Sequence, residues 1–252
     1  VRGQLLQTPP ELVSTVSAPA LLLALNALAN QQLLAISGTP LCDVAVHDIR
    51  YATVGGANEA TTASAAMMVP LGGAPACRGT RPILLYAHGT TTDRAFDMTN
   101  LQDDPNGEAL IMAAVFASQG YIVVAPNYAG YDSSTLPYHP YLVADQQSKD
   151  MIDALTAARS ALPTAAAPAT TDSGRLFITG YSQGGFVAMA THRAMQAAGM
   201  THGGFYKHFN SRDQLIDEAV GRAMTDSEPR IAALAAQAVG AGCATGWAAA
   251  MN

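Results

Sequence analysis

The sequence predicts an α/β fold, with a doubly wound sheet over residues 1–199 and a helical tail over residues 200–252. Three apolar runs predict buried strands: RPILLYAH (81–88), YIVVAP (121–126) and RLFITG (175–180). Stretches with helical spacing separate these runs. Continuous apolar strands that alternate with helices are typical of parallel sheets joined by right-handed crossovers. No β-branched run follows residue 199, so the expected sheet ends with the strand at 175–180 and leaves an open edge there.

An antiparallel pair of strands is predicted before the first buried strand. Residues 41–54 alternate and are rich in β-branched and aromatic residues, and residues 61–71 follow after the turn Gly55–Asn58. A loop is expected over Pro163–Asp172, which is rich in Ala, Pro and Thr. Apolar spacing predicts helices over four further stretches: 18–28, 109–119, 141–161 and 186–198.

One motif indicates chemistry. Residues 180–184, Gly-Tyr-Ser-Gln-Gly, match the pattern G-x-S-x-G, directly after a predicted strand and before a predicted helix. This order is typical of a strained strand-to-helix turn that exposes a serine hydroxyl at the end of a parallel sheet. Glycine is needed on both sides because a Cβ there would crowd the neighbouring backbone. The motif therefore predicts Ser182 as a nucleophile.

Composition excludes several other classes. Only 13% of the residues are charged and the net charge is −6, which argues against nucleic acid or an anionic membrane as a partner. No apolar run reaches the 18 residues of a transmembrane segment, and residues 18–28 are interpreted as a helix rather than a signal peptide. Cys42, Cys77 and Cys243 lack the paired spacing of a zinc site, so no metal is expected. Spacing alone leaves open whether Cys42 and Cys77 are bonded or are unrelated thiols.

Residues 1 to about 199 resemble the α/β-hydrolase family, in particular its secreted lipases and esterases. The resemblance depends on Tyr86–Thr90 (YAHGT), Ala125–Tyr131 (APNYAGY), Gly180–Gly185 and the opening strand pair with its flanking cysteines. It implies a Ser-Asp-His enzyme without a cofactor, which cleaves small-molecule or lipid esters through an acyl-enzyme. It also implies export of the mature chain, either secreted or periplasmic, and favours a Cys42–Cys77 disulfide.

The resemblance further implies an oxyanion hole. By analogy with the family, the backbone N–H groups of Thr90 and Gln183 are the expected donors, with Thr91 as the alternative to Thr90. The general base of the family follows the serine in the chain, so His88 is interpreted as structural. For the same reason, Asp93, Asp132 and His139 are interpreted as loop residues.

The family acid and base are not identified, so the predicted fold is a truncated α/β-hydrolase with an incomplete triad. The family order requires further strand-loop units after the nucleophile, and the sequence shows none. The histidines that follow Ser182 are His192, His202 and His208. Each is interpreted as a surface or helix-packing residue. Ester turnover is therefore expected to be low or absent.

A short second resemblance begins near residue 197. Residues 197–215 are similar to the recognition helix and following helix of tetracycline-repressor-type regulators, which would give DNA contacts to Thr201, Tyr206 and Lys207. The preceding helix of that motif is absent and the following residues are acidic, which argues against DNA binding. The simplest interpretation is a chimera, arising by natural fusion or by an assembly error. A DNA-binding regulator fragment and a catalytically inactive hydrolase fold are the alternative functions.

Overall fold

A mixed β-sheet forms the centre of the protein in its computed structural model. The structure describes most of the first 199 residues, namely 1–27, 34, 37–102, 107–165 and 170–199. Within it, Val1–Ala198 form one compact unit. The helical tail and the repressor-like segment, predicted over residues 200–252, lie outside the described residues apart from 197–199. Those interpretations therefore stay predictions.

The sheet has six strands and combines both pairing directions. In chain order the strands are β1 (Glu11–Val16), β2 (Asp43–Val54), β3 (Ala60–Leu71), β4 (Gly79–Ala87), β5 (Ile122–Pro126) and β6 (Thr170–Gly180). Across the sheet their order is β1-β2-β3-β5-β4-β6. The pairs from β1 to β3 and the pair β3–β5 are antiparallel, whereas β5–β4 and β4–β6 are parallel. The predicted α/β class is confirmed, with an antiparallel extension beside three parallel strands.

Two strand assignments differ from the sequence prediction. The opening pair β2–β3 is antiparallel as predicted, but β1 pairs with β2 and was not predicted. β6 begins at Thr170, so the loop prediction for the end of Pro163–Asp172 is wrong. The reason is tertiary pairing, because Thr170 and Thr171 lie opposite Gly79 and Thr80 of β4.

The helices lie close to their predicted positions, with one irregular segment. They are α1 (Ala18–Asn26), α2 (Glu108–Ile111), α3 (Ala144–Ala161) and α4 (Gln183–Ala197). A π-helical turn at Met112–Phe116 and a 3₁₀ turn at Ala117–Gln119 continue α2. The predicted regular helix at 109–119 is thus only partly correct. The segment ends at Gly120, where φ is +95° and a Cβ would lie 2.3 Å from the Ala76 oxygen.

The core surrounds the central strands. Every residue of β5 is buried, as are Leu85 and Ala87 of β4. On one side α3 packs against β2 and α4, and it contributes the buried side chains Met151 and Leu155. The central strands and α3 thus form the core beneath the carboxyl ends of the parallel strands.

The Cys42–Cys77 disulfide is present, which resolves the alternative left open by spacing. The two Cα atoms are 5.4 Å apart, and both side chains are buried. The bridge joins the segment before β2 to the 3₁₀ turn Pro75–Cys77 before β4. The Cys42 N–H also donates to the Ser118 oxygen at 2.9 Å. Three segments at one end of the sheet are thereby tied together.

Within the described residues, β6 is the outermost strand on the parallel side of the sheet. Large apolar side chains near this edge are exposed: Phe177 by 41%, Tyr181 by 65%, Phe186 by 41% and Met189 by 59%. No strand within the described ranges pairs with the outer side of β6, and the end of the sheet at this strand stays a prediction, since residues 200–252 lie outside those ranges.

The described residues show neither a membrane span nor a metal cluster. None of their helices has the length and apolar character needed to cross a bilayer. No group of three or more His, Cys, Asp or Glu side chains within these ranges is arranged to hold a metal ion.

Candidate active site

Ser182 lies at the turn between β6 and α4, where the motif predicted it. Its backbone angles are φ +53° and ψ −117°, a combination that non-glycine residues rarely adopt. The residue is exposed, and its hydroxyl makes no hydrogen bond to any residue that the structure describes. A strained turn of this kind holds the hydroxyl clear of the surrounding backbone.

The two glycines of the motif allow this turn to pack on the end of β4. A Cβ on Gly184 would lie 1.8 Å from the Ala87 oxygen, and a Cβ on Gly180 would lie 2.2 Å from the Gly184 oxygen. The Tyr181 N–H donates to the same Ala87 oxygen at 3.2 Å. Since the obstructing atoms are backbone, no side chain can be accommodated at either position.

The loop after β4 lies beside the nucleophile turn. Ala87 of β4 is opposite Gly180 of β6, so both loops leave the same edge of the parallel sheet. A side chain at Gly89 would meet the Tyr181 ring at 2.9 Å, which shows how closely the two loops approach. Thr90, the next residue, is exposed. The backbone N–H groups of Thr90 and Gln183 donate to no described residue.

A buried carboxylate holds the start of this loop. The Gly89 N–H donates to Glu108 at 3.0 and 3.2 Å, and the Tyr86 hydroxyl donates to Glu108 Oε2 at 2.5 Å. His88 is also buried, with its ring nitrogens 2.7 Å from the Gly89 oxygen and 3.2 Å from the Asn127 oxygen. These contacts agree with the structural role expected for His88, since its ring is turned to the backbone.

His139 is the residue that sequence reasoning missed. The sequence predicts only a loop residue here, because His139 precedes Ser182, yet its Nε2 lies 2.8 Å from Gln183 Nε2. Its Nδ1 lies 3.0 Å from the Ala129 oxygen. Burial lowers the pKa of His139, which favours the neutral ring. The sequence contains no signal for this contact, because the two residues are 44 positions apart.

Two of the other polar residues that are predicted to have no catalytic role accept hydrogen bonds from neighbouring groups. Asp93 accepts the Ala95 N–H at 2.9 Å, and Asp132 accepts the Ser64 hydroxyl at 2.6 Å. His192 lies within α4, past the nucleophile turn. His202 and His208 lie outside the described residues. Within the described ranges, no histidine or carboxylate hydrogen-bonds the Ser182 hydroxyl.

A cavity of about 560 Å³ opens beside Thr90. Its volume falls in the range of small-molecule sites. Threonine hydroxyls and aromatic rings share its wall, which is formed by Thr90, Thr91, Thr92, Arg94, Gly130, Tyr131, Pro137, Tyr138, His139 and Tyr141. The Thr90 hydroxyl lies 3.3 Å from the Tyr141 hydroxyl at the rim.

Asp150 of α3 supports the loop after β5. Its carboxylate accepts the Ala129 N–H at 2.6 Å and the Tyr51 hydroxyl at 2.9 Å. The side chain is fully buried. Burial raises the pKa of Asp150 from 3.8 to about 6, although both hydrogen bonds oppose the shift. The folded protein therefore takes up a proton here at a higher pH than the unfolded chain does.

This pKa predicts a pH-dependent stability. Between pH 4 and 6, Asp150 binds more protons in the folded state than in the unfolded state. The contribution of Asp150 to the unfolding free energy is therefore complete below about pH 4 and is lost as pH rises through 6. The loss is about 3 kcal/mol, since one pKa unit is about 1.4 kcal/mol. Asp150→Asn stays neutral and can still bond Ala129 and Tyr51. Denaturant titrations measure the unfolding free energy of both proteins. As pH rises from 4 to 6, we expect the value for wild type to fall relative to that for Asp150→Asn.

The control for this prediction is Asp145→Asn on the same helix, because the Asp145 side chain is 70% exposed. Its curve should run parallel to that of wild type. Parallel curves for Asp150→Asn and wild type between pH 4 and 6 would contradict the prediction.

Comparisons with known proteins agree with the fold. The model of the prolyl oligopeptidase family matches residues 110–218. Among solved structures, the rice cell wall degrading esterase LipA from Xanthomonas oryzae is 34% identical, with a TM-score of 0.65 over 78% of this chain and 46% of that chain. A protein of Legionella pneumophila, named as a candidate hydrolase, is 25% identical, with a TM-score of 0.64 over 77% of this chain and 48% of that chain. A comparison with curated protein sequences gave no match.

The described residues thus have the fold of the α/β-hydrolases. The sheet order, the G-x-S-x-G turn and the solved neighbours all agree on this class. The chain spans just under half the length of the LipA structures, between 46% and 48%.

Proposed function

We propose that this chain carries the nucleophile-bearing half of a serine ester hydrolase, with Ser182 as nucleophile and the Thr90 and Gln183 N–H groups as oxyanion donors. The observation that supports the proposal most is the exposed Ser182 hydroxyl on a strained strand-to-helix turn. Beside it, two backbone N–H groups have no acceptor among the described residues.

The chemistry follows from this arrangement. Ser182 Oγ attacks the ester carbonyl, the carbonyl oxygen becomes an oxyanion, and departure of the alcohol leaves an acyl-serine that water later hydrolyses. The Gln183 N–H begins α4, so the positive end of the helix dipole also faces the developing charge. The Thr90 N–H would supply the second donor from the neighbouring loop.

The proposed substrate is a carboxylic ester of a small molecule or lipid. The cavity beside Thr90 can hold one arm of such an ester, and its tyrosines offer apolar faces with hydroxyl groups at their ends. The LipA neighbour is named as an esterase that degrades rice cell wall, which supports ester chemistry here. The buried disulfide is compatible with a secreted or periplasmic protein.

Low turnover is part of the proposal, because no acid or base hydrogen-bonds the Ser182 hydroxyl within the described residues. Serine hydrolases that lack a triad member retain roughly 10³- to 10⁴-fold catalysis over water from the oxyanion hole and binding. Hydrolysis of a nitrophenyl butyrate ester by this chain is expected to exceed the rate in water by a factor in that range.

The test is covalent labelling with a p-nitrophenyl alkylphosphonate, followed by peptide mass mapping of the full chain. We expect a slow, single adduct on Ser182 that is absent from Ser182→Ala. Ser173→Ala is the control, since Ser173 is an exposed serine in β6 before the turn, and its labelling should equal that of wild type. An adduct elsewhere, or none, would overturn the proposal. Turnover of roughly 1 to 10³ s⁻¹, typical of complete enzymes, that is lost in Ser182→Ala would instead point to His202 or His208 as a base.

A further inference from the structure

The contact between His139 and Gln183 leads to an inference that rests on the function proposed above. We infer that His139 is a positioning residue, whose imidazole holds the Gln183 side chain and thereby aims the Gln183 backbone N–H at the oxyanion.

The partners of the ring determine its tautomer. Nδ1 lies 3.0 Å from the Ala129 oxygen, and a carbonyl oxygen can only accept a hydrogen bond. Nδ1 therefore carries the proton, and Nε2 of the neutral ring is an acceptor. The Gln183 amide nitrogen, 2.8 Å from Nε2, donates to it. The Gln147 amide nitrogen, 3.5 Å from Nε2, is a second and more distant donor to the same ring atom.

A backbone hydrogen bond and two aromatic contacts fix the position of the His139 ring. The oxygen of Ala129 accepts the hydrogen bond from Nδ1–H, and the N–H of Ala129 donates to Asp150 at 2.6 Å. The His139 ring is also stacked with the Tyr128 ring, at a centroid distance of 5.6 Å, and tilted against the Tyr131 ring, at 4.5 Å. Gln183 therefore bonds to a ring whose position is set by α3 and by the loop after β5.

Gln183 depends on this bond. Its side chain is buried, and its Oε1 has no hydrogen-bond partner within the described residues. Without His139, both polar atoms of the amide would be buried and unpaired, which favours rotation of the side chain toward solvent. Gln183 is the residue directly after the strained Ser182, so this rotation would turn the peptide that carries the proposed donor. A lost oxyanion donor costs about 10²- to 10³-fold in rate, and a misdirected one should cost about 10- to 100-fold.

Protonation of His139 should act like its removal, because a charged ring cannot accept from Gln183. The titratable side chains packed against the ring are Tyr128, Tyr131 and Tyr141. None of them is anionic near neutral pH, so none stabilises the charged ring. An acid limb in the reactivity of Ser182 that is absent from His139→Gln is therefore expected.

The experiment measures the rate of phosphonate labelling at Ser182 in the full chain. His139→Phe keeps an aromatic ring and removes both nitrogens, and it should slow labelling by about 10- to 100-fold. His139→Gln retains an acceptor at the position of Nε2 and should restore the rate to within a few-fold of wild type. Gln183→Met removes the same bond from the other side, and the double variant with His139→Phe should be no slower than His139→Phe alone.

His47→Phe is the matched control. His47 is also fully buried, but neither ring nitrogen has a partner within the described residues, so its variant should label at the wild-type rate. Long-range ¹H–¹⁵N spectra of the ring provide a readout besides reactivity: wild type should show the Nδ1–H tautomer, with an Nε2 shift that changes in Gln183→Met.

The outcomes separate the two proposals. An unlabelled wild type overturns the proposed function, and the role of His139 with it. A labelled wild type with unchanged rates in His139→Phe and Gln183→Met, or with the proton on Nε2, overturns the role of His139 alone. If His139→Phe fails to fold, Gln183→Met and the ring spectra decide the question.

Discussion

Gly184→Ala is expected to destroy the nucleophile turn and with it the labelling of Ser182. The added Cβ would lie 1.8 Å from the Ala87 oxygen, 2.5 Å from the Ala87 carbonyl carbon and 2.7 Å from the His88 oxygen. All three atoms are backbone, and Ala87 is buried where β4 pairs with β6. Relief requires the strand end or the helix to move, so we expect a loss of about 4 kcal/mol or more in unfolding free energy.

The matched control is Gly185→Ala, one residue further along α4. The nearest atom to a Cβ there is the Gly180 oxygen, at an unstrained 3.8 Å. Because alanine favours helix over glycine, this variant should be unchanged or more stable by up to about 1 kcal/mol. Thermal unfolding of the two variants beside wild type makes the comparison. Equal stability of the two variants would show that the turn can relax in a way the structure does not indicate.

Removal of the disulfide should have the second largest effect on stability. Cys42 and Cys77 are 35 positions apart, and closing a loop of that length restricts the unfolded chain by about 4 kcal/mol on the chain-entropy account. We expect the double variant Cys42→Ala and Cys77→Ala to lose about this much unfolding free energy, or about 10 °C in Tm. Wild type in a reducing agent should fall toward the same value.

Cys243→Ala provides the control, since it removes a cysteine that takes no part in the bridge. Its Tm should equal that of wild type under oxidising conditions. A double variant as stable as Cys243→Ala would mean that the bridge contributes nothing beyond the contacts around Ser118.

The parts of the fold that could be predicted are those with a local signal. β4 and β5 are continuous apolar runs because both faces of a central parallel strand are covered, and Gly180 and Gly184 indicate the turn because only glycine fits there. β1 has no such signal: its residues are exposed or half-buried, and pairing with β2 alone makes it a strand.

The site was only partly predictable for the same reason. Ser182 and its neighbours form one short motif, so the sequence alone locates the turn. The contacts of Gln183 with His139, and of Ala129 with Asp150, join residues that are 44 and 21 positions apart. Neither pair has a shared pattern, because a side-chain hydrogen bond across a fold requires only one donor and one acceptor at the correct distance. The pairing of His139 with Gln183 can be identified only from the three-dimensional structure, which brings the loop after β5 to α4.

The outer side of β6 could be paired by another strand in two different directions. One side of β6 pairs in parallel with β4, and its other side carries no strand within the described ranges. A parallel neighbour in the same chain must arrive by a right-handed crossover of a dozen or more residues. A closed two-fold dimer instead places identical groups opposite each other and pairs β6 with its own copy in the antiparallel sense. The direction of a strand found beside Phe177 would therefore distinguish continuation of the fold from a symmetric dimer.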